Sequence, residues 1–259
     1  MTSKNGRFEK PRNLLTIYGR KPVQEALREP EIAFYRIHLA HSNKSNPIIE
    51  DILRLCERRG VEVHYHDRLA LSHISKNRKQ DQGVAADIIG KRFDEFSDFL
   101  NKPEPKGFSL IAVDRITNPQ NLGMIIRSVC AGYVDGLLIP RRGCAKLDSL
   151  VIKASAGTLF RARLLFCDDL SRALTLARER GVTVYGLSTS RSEAIDQVAL
   201  KTPGIFVLGN ETEGLSDAVD SLCDQRLHIP MRNGVESLNV AVTAGILAFR
   251  TMGGGSGRG

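Results

Sequence analysis

Three polar segments in the C-terminal half of the sequence carry residue types that can do chemistry. They span residues 118–127, 208–214 and 229–239. Together they supply amide, guanidinium, carboxylate and hydroxyl side chains, and glycines at which a ligand can approach the backbone. Such groups can orient a polar ligand and stabilise negative charge as it develops. Each segment follows or begins at the end of an apolar run of strand length, which is where open α/β sheets bind ligands.

Each segment also has a purely structural interpretation. Asn118, which precedes Pro119, is typical of a helix cap. The glycines on either side of Glu211 favour a tight turn. Ser237 suits the N-cap of the apolar helix that follows, with Asn239 in its first turn. Taken one at a time, the segments do not distinguish a binding site from turns and caps.

Metal and nucleotide chemistry find little support. His64 and His66 would share one face of a strand, but no third ligand is evident, which favours a structural or RNA-facing role. The five cysteines are far apart and form no CxxC pair, so we expect them to be reduced and mostly buried. No GxGxxG or Walker A string follows a strand. We therefore expect no metal and no Rossmann or P-loop site.

The elements that must position these segments form an alternating pattern. After the apolar run that begins near residue 108, strand-length runs alternate with helical patterns, which predicts an α/β domain with a parallel sheet over residues 108–252. The predicted strands span residues 109–113, 136–139, 164–167, 182–187, 205–208 and 226–229, and the predicted helices span 120–131, 148–156, 170–180 and 238–252.

A second, smaller α/β unit is predicted over residues 13–90. Its order is helix, strand, helix, strand, strand, at residues 21–28, 35–40, 47–59, 61–65 and 83–88. Residues 91–107 lose apolar periodicity and end in a Pro/Gly cluster, which predicts a linker. Residues 1–12 are expected to form a flexible basic arm and residues 253–259 a flexible tail.

The charge balance indicates a polyanionic partner. The net charge is +8 and the pI about 9.4, which suits RNA, although charge alone favours a merely solvated basic face. No apolar run of about 18 residues and no secretory signal occur, so we expect a cytoplasmic protein without a membrane span. Plausible phosphate contacts are Arg58, Arg59, Arg68, Lys76, Arg78, Lys79, Arg141, Arg142, Lys146 and Lys153.

In combination, the segments resemble a known family. The strings NPQNLGMIIRS, VLGNETEGLS and IPMRNGVESLNVAVTAG resemble, in this order, the three motifs of the SpoU (TrmH) branch of the SPOUT RNA methyltransferases. The strings YGRKPVQEAL and DQGVAAD resemble the small L30e-like RNA-binding domain of the subgroup that modifies a 23S rRNA guanosine. The resemblance covers nearly the whole chain, more closely after residue 108.

The resemblance implies a C-terminal domain with a deep trefoil knot, a homodimer with the active site near its interface, and S-adenosylmethionine as cofactor. The cofactor is expected to be held largely by the backbone. The residues implied for cofactor binding are Leu208, Gly209, Ile229, Pro230, Met231 and Leu238. Those implied for substrate binding and catalysis are Asn121, Arg127, Glu211, Ser237 and Asn239.

The role of Arg127 has two interpretations. The resemblance assigns it the removal of the hydroxyl proton, yet a guanidinium with a pKa above about 12 is a poor base. The alternative is that Arg127 binds the phosphate beside the target ribose and stabilises the developing oxyanion, with the proton lost late or through water.

The expected function is methylation of a ribose 2'-OH. The first expected substrate is a guanosine in 23S rRNA, and the alternative substrate is a guanosine in tRNA. A catalytically inactive RNA-binding protein that acts in ribosome assembly is the alternative from another class. The presence of all five polar side chains implied for catalysis speaks against that alternative.

Overall fold

The structure is a computed structural model that describes residues 14–30, 32–43, 45–89, 93–102, 107–188 and 192–250. Contacts divide the chain into two compact units, one ending at Lys91 and one beginning at Arg92. The arm and tail predicted at residues 1–12 and 253–259 lie outside the described residues.

The first unit has a four-stranded mixed sheet in the order β1-β4-β2-β3, in which only β2 and β3 run parallel. Its described elements are β1 (Leu14–Tyr18), α1 (Arg20–Arg28), β2 (Ala33–Ala40), α2 (Pro47–Arg59), β3 (Val63–His66), α3 (Arg68–Ser75) and β4 (Val84–Ile89). The predicted order was therefore wrong, since it lacked β1 and α3.

Local signals explain why α2 was predicted correctly and α3 was missed. In α2, the Asn46 side chain accepts hydrogen bonds from the N–H groups of Ile48 and Ile49, both at 3.1 Å, and Gly60 ends the helix with a φ of 63°. The short α3 instead depends on tertiary burial, because Leu71 packs on the face of the sheet. A helix of this length has little stability of its own.

Arg59 holds the first unit together rather than facing solvent as a phosphate contact. Its guanidinium donates hydrogen bonds to the carbonyl oxygens of Leu27 (2.9 Å), Glu29 (3.0 Å) and Ile32 (2.5 Å), and stacks on the Phe34 ring. These bonds satisfy carbonyl groups at and after the end of α1.

The second unit has an eight-stranded sheet in the order β10-β12-β9-β11-β6-β7-β8-β5, and every pairing in it is parallel. Its strands are β5 (Phe93–Glu95), β6 (Ser109–Val113), β7 (Gly136–Pro140), β8 (Leu164–Cys167), β9 (Thr183–Leu187), β10 (Glu193–Ala194), β11 (Gly204–Leu208) and β12 (Gln225–His228). Its helices are α4 (Phe96–Asn101), α5 (Pro119–Ala131), α6 (Ser149–Ala154), α7 (Leu170–Glu179), α8 (Asp217–Asp220) and α9 (Val240–Arg250). The predicted parallel α/β fold is confirmed.

Part of the predicted linker at residues 91–107 is ordered structure. Strand β5 pairs with β8, and Phe96 and Phe99 of α4 are each 1% exposed in the core beside Phe108. Burial of two aromatic rings stabilises this segment, although it lacks the regular apolar periodicity that a longer element shows.

Of two predicted helix caps, one is confirmed and the other is wrong. Asn118 caps α5, since its side chain accepts a hydrogen bond from the N–H of Gln120 at 2.9 Å. Ser237 does not begin a helix: α9 starts at Val240, and the Asn239 side chain accepts from the N–H of Ala241 at 2.9 Å. Asn239 therefore takes the capping role predicted for Ser237.

All five cysteines are free thiols, and Cys56 and Cys167 are buried. Burial raises the pKa of the Cys167 thiol to about 12, which keeps it protonated. None of the described helices is both long and apolar enough to span a bilayer.

Candidate functional site

The carboxyl ends of β9, β11 and β12 open onto a cavity of about 440 Å³ at one edge of the parallel sheet. The loop after β11 and the loop between β12 and α9 form much of its wall. The predicted residues that line it are Leu208, Gly209, Glu211, Ile229, Met231, Ser237 and Leu238. Pro230 lies between two of these residues and is exposed.

Gly209 allows the loop after β11 to fold back on the strand. Asn210 and Gly214 exchange two backbone hydrogen bonds of 2.9 Å, which closes the loop. A Cβ added at Gly209 would lie 2.3 Å from the carbonyl carbon of Gly214. Because that neighbour is backbone and cannot rotate away, only glycine fits at this position.

The loop after β6 holds this closed loop in place. The buried carboxylate of Asp114 accepts a hydrogen bond from the N–H of Ser216 at 2.6 Å. Arg115 forms an ion pair with Glu213, and its carbonyl oxygen accepts from the Asn210 side chain at 3.1 Å. Sequence reasoning missed these residues, although Asp114 and Arg115 stand directly after a buried strand.

A buried amide joins the three polar segments. Asn121, which is 7% exposed, donates from Nδ2 to the Glu211 carboxylate. Its Oδ1 accepts a hydrogen bond from Asn239 Nδ2 at 3.1 Å. One side chain from each segment therefore contributes to a single chain of hydrogen bonds, which we call the Asn121 network. Glu211 connects this network to the cavity.

Close helix packing turns Asn121 inward. A Cβ on Gly123 would lie 2.5 Å from the Ala154 Cβ of α6, and one on Gly132 would lie 2.6 Å from the Ala248 Cβ of α9. The two glycines therefore let α5 approach both helices closely. Asn121 is held where these helices and the loop after β11 converge.

Arg127 is not brought into the Asn121 network. It is exposed on α5, together with Gln120 and Met124. Six residues separate it from Asn121, which places the two side chains on different sides of the helix. Among the described residues, Arg127 has neither an ion pair nor a side-chain hydrogen bond.

The cavity contains polar groups that sequence reasoning missed. His228 lines it, and its Nδ1 lies 3.0 Å from the hydroxyl oxygen of Ser192. Three carboxylates line it, those of Glu211, Glu213 and Glu236, whereas no lysine or arginine is among its described lining residues. The position of His228 at the carboxyl end of a predicted strand could have identified it as a candidate site residue.

The histidines of the first unit form a hydrogen-bonded chain of their own. His38 Nδ1 lies 3.0 Å from His66 Nε2, and His38 Nε2 lies 3.3 Å from the Asp87 carboxylate. Thr16 donates to the other Asp87 oxygen at 2.6 Å. We call this chain the His38 network. Within the described residues, no three His, Cys, Asp or Glu side chains are placed to hold a metal ion.

Family models match both units of the chain. Residues 109–249 match the SpoU rRNA Methylase family, and residues 16–93 match the model described as RNA 2'-O ribose methyltransferase substrate binding. The first match contains the cavity and the Asn121 network, and the second contains the His38 network.

Curated relatives and solved structures agree with this match. The chain is 31% identical to an "uncharacterized tRNA/rRNA methyltransferase" of Mycolicibacterium gilvum, over 93% of this chain and 77% of that protein. A protein with the same description from Mycobacterium marinum is 33% identical over 90% and 74% of the two chains.

Among solved structures, the SpoU methyltransferase AviRb from Streptomyces viridochromogenes, in complex with the cofactor AdoMet, has a TM-score of 0.62 at 22% identity, covering 92% of this chain and 88% of that one. A TrmH-family protein from Porphyromonas gingivalis has a TM-score of 0.59 at 25% identity over 91% and 88% of the two chains. The fold is thus shared across nearly the full length. The chain belongs to the SpoU rRNA methylase family.

Proposed function

We propose that this protein transfers the methyl group of S-adenosylmethionine to a ribose 2'-OH in RNA, namely of a guanosine in 23S rRNA. The observation that carries the proposal is the Asn121 network. It ties one side chain from each family motif into a single arrangement beside a cavity of small-molecule size.

The lining of the cavity suits S-adenosylmethionine in polarity and charge. Apolar side chains from Leu208, Ile229 and Leu238 offer surface for an adenine ring, and the carboxylates favour a cofactor with net positive charge. AviRb is a family member solved with this cofactor. When bound, the cofactor would supply a methyl group activated by the sulfonium. The protein then has to position the hydroxyl, stabilise the developing oxyanion and let the hydroxyl proton leave, which we assign to water.

The Asn121 network supplies that positioning. Asn121 fixes the Glu211 carboxylate at the cavity, while Ser237 lines the cavity and Asn239 caps α9. We assign Glu211 and Ser237 to hydrogen bonds with the ribose, and Asn121 and Asn239 to holding the loops in place. Alignment of two reactants can lower a barrier by roughly 7 to 11 kcal/mol.

Arg127 is assigned to the RNA. Its guanidinium is exposed and unpaired among the described residues, which leaves it available for the phosphate beside the target ribose and for the developing oxyanion. Arg127→Ala should reduce turnover about 100-fold without changing cofactor affinity. Arg127→Lys retains the charge, so activity near that of the wild type would point to electrostatics and a large loss to bidentate phosphate binding. Undiminished turnover in Arg127→Ala would remove the residue from catalysis.

A homodimer is part of the proposal. Val242 and Phe249 lie seven residues apart on one face of α9 and are half-exposed, and the exposed Tyr133 ring packs edge-on against Phe249 at 5.9 Å. An exposed apolar face on α9 suits a second copy of the chain, and α5, which carries Arg127, packs against α9. The trefoil knot belongs to the same proposal.

Sedimentation equilibrium tests the dimer. Phe249→Asp should produce a monomer, whereas Leu69→Asp, a matched change at an exposed apolar residue of the first unit, should leave the dimer intact. A monomeric wild type would contradict this part of the proposal.

The substrate is tested by mapping 2'-O-methyl positions in rRNA and tRNA from cells that lack the protein. We expect the loss of one guanosine methylation in 23S rRNA. Loss of a tRNA site with rRNA unchanged would replace the substrate. Unchanged RNA in both classes, with no saturable binding of S-adenosylmethionine by calorimetry, would favour a cytoplasmic assembly factor without catalysis.

A further inference from the structure

We propose that the loop at residues 141–147 and the adjoining helix α6 form a cationic surface that binds backbone phosphates of the RNA beyond the one assigned to Arg127, through Arg142, Lys146 and Lys153. We call it the phosphate track. The inference rests on the proposed function and assigns a part of the molecule to its RNA substrate.

Hydrogen bonds hold the backbone of this loop at both ends and in its middle. The Arg141 N–H donates to the Cys167 carbonyl oxygen at 2.8 Å, and the Ala145 N–H donates to the Ile116 carbonyl oxygen at 2.8 Å. At the far end, the Asp148 side chain caps α6 by accepting from the N–H groups of Leu150 and Val151 at 2.9 and 3.2 Å. The loop therefore presents its side chains from a fixed backbone.

The loop lies beside the wall of the cavity. Arg115 connects the two, because its guanidinium pairs with Glu213 and donates to the Gly214 carbonyl oxygen at 3.3 Å, and both of those residues line the cavity. On its other side, the Arg115 Cγ lies 3.9 Å from the position of a Cβ at Gly143. An RNA strand that reaches the cavity across Arg115 therefore crosses this loop.

The cations in this region differ in whether the protein already neutralises them. Arg115 is paired with Glu213, and Arg141 is paired with Glu95 and lies 3.5 Å from Asp168. In contrast, Arg142, Lys146 and Lys153 are exposed, and none has an ion pair or side-chain hydrogen bond within the described part of the chain. Like Arg127 on the neighbouring helix α5, these three side chains keep their charge available for an external anion.

RNA phosphates match this arrangement. A ribose 2'-OH lies between two backbone phosphates, so a strand that places a ribose at the cavity must lay phosphates on the surface outside it. The carboxylates of Glu211 and Glu236 line the cavity and repel phosphate, whereas the unpaired cations of the neighbouring loop and of α6 attract it. The charge distribution thus separates the sugar from its phosphates, and each phosphate contact releases counterions.

The test compares wild type with the triple variant Arg142→Gln/Lys146→Gln/Lys153→Gln. Filter binding of protein-free 23S rRNA is measured across a salt series, together with methylation kinetics and calorimetry with S-adenosylmethionine. We expect the slope of log affinity against log salt to fall by about 2, since each lost contact contributes about 0.7. The KM for RNA should rise about tenfold with kcat and cofactor affinity unchanged.

Lys201→Gln is the matched control for a single Lys146→Gln change. Lys201 is exposed and precedes the amino end of β11, about 16 Å from the carboxyl end of that strand, where the cavity lies. Both changes remove one positive charge, so the salt slope should fall in Lys146→Gln and stay unchanged in Lys201→Gln.

Equal salt slopes in wild type and triple variant, with methylation and cofactor binding intact, would overturn the phosphate track and leave the proposed function standing. Equal effects of Lys146→Gln and Lys201→Gln would also overturn it, because net charge alone would then explain binding. If the triple variant lost the ability to bind a polyglutamate peptide but still bound RNA like the wild type, the surface would be assigned to an acidic protein instead. Failure of the wild type to bind S-adenosylmethionine would count against the proposed function, and the salt slope would still decide the track.

Discussion

Each of the two units contains a network of hydrogen-bonded polar side chains, and the two networks differ in their location within the fold. The His38 network crosses the strands of a mixed sheet, where Asp87 and His38 are each 4% exposed. The Asn121 network joins a helix to two loops at the carboxyl edge of a parallel sheet, and its Glu211 carboxylate lines a cavity.

This difference in location distinguishes a polar network that stabilises the fold from one that forms part of a binding site. Groups buried within a sheet must satisfy one another, because an unpaired buried polar group costs free energy. Groups held on loops beside a cavity can instead direct their remaining hydrogen-bonding capacity at a ligand. We therefore expect changes in the His38 network to lower stability, and changes in the Asn121 network to lower activity.

The largest expected effect is that of Asn121→Ala on catalysis. The change disconnects Glu211 from Asn239, and a loss of alignment of this kind lowers kcat/KM by about 100-fold. Asn118→Ala is the matched control on the same helix: it removes a cap, so it should cost about 1 kcal/mol of stability and little activity. Equal methylation rates in the two variants would break the distinction between site and scaffold.

Asp87→Ala should have the largest effect on stability. It leaves the buried His38 and the half-buried Thr16 without their shared acceptor, at a cost of about 1 to 3 kcal/mol. Denaturant unfolding measures the loss, and calorimetry should show unchanged affinity for S-adenosylmethionine. Weakened cofactor binding in a folded Asp87→Ala protein would mean that the His38 network also serves the site.

Two glycines sharpen the comparison at the level of backbone. Gly209→Ala places a Cβ 2.3 Å from backbone of the loop that lines the cavity, so cofactor affinity should fall at least about tenfold. Gly83→Ala, in the first unit, would meet the Asn43 side chain at 2.6 Å and has a φ of 76°, so it should lower stability alone. Tight cofactor binding by Gly209→Ala would show that the loop can move aside.

The smallest effect concerns the pH dependence of the His38 network. Burial, followed by the neighbouring His38, lowers the pKa of His66. The unfolded chain therefore takes up a proton near pH 6.5, before the folded chain does, and stability falls as the pH drops below that value. His66→Gln should lose less Tm between pH 7 and pH 5 than the wild type does.

His73→Gln, at an exposed position on α3, is the control for this pH dependence. It should keep the pH profile of the wild type. Identical profiles in the wild type and His66→Gln would show that another group titrates.

The fold was predictable from sequence wherever a pattern was local. The buried parallel strands read as continuous apolar runs, and α2 carried its own cap and stop signals. In contrast, β1, α3 and α4 are short and depend on distant parts of the chain. Strand β1 pairs with β4, Leu71 of α3 packs on residues of the sheet, and Phe96 and Phe99 of α4 lie in the core. No local pattern reports that burial.

The site was predictable only to the level of its residue types. Asn121, Glu211 and Asn239 were named, but their convergence joins positions about a hundred residues apart, as do the bonds of Asp114 and Arg115 to the loop after β11. Such contacts follow from the packing of α5 against α6 and α9, which spacing alone does not show. The six-residue spacing of Asn121 and Arg127 on a predicted helix already placed them on different sides, but the structure was needed to show that Arg127 is exposed.

The central claim is that the protein methylates a ribose 2'-OH with S-adenosylmethionine, and alkaline hydrolysis tests it most directly. The purified protein is incubated with methyl-labelled S-adenosylmethionine and, in separate reactions, with 23S rRNA and tRNA from cells that lack it, and each RNA is then digested in alkali. A 2'-O-methyl group removes the nucleophile that cleaves the adjoining phosphodiester, so the label should appear in a resistant dinucleotide. Label in mononucleotides, or no label in 23S rRNA or tRNA, would contradict the claim.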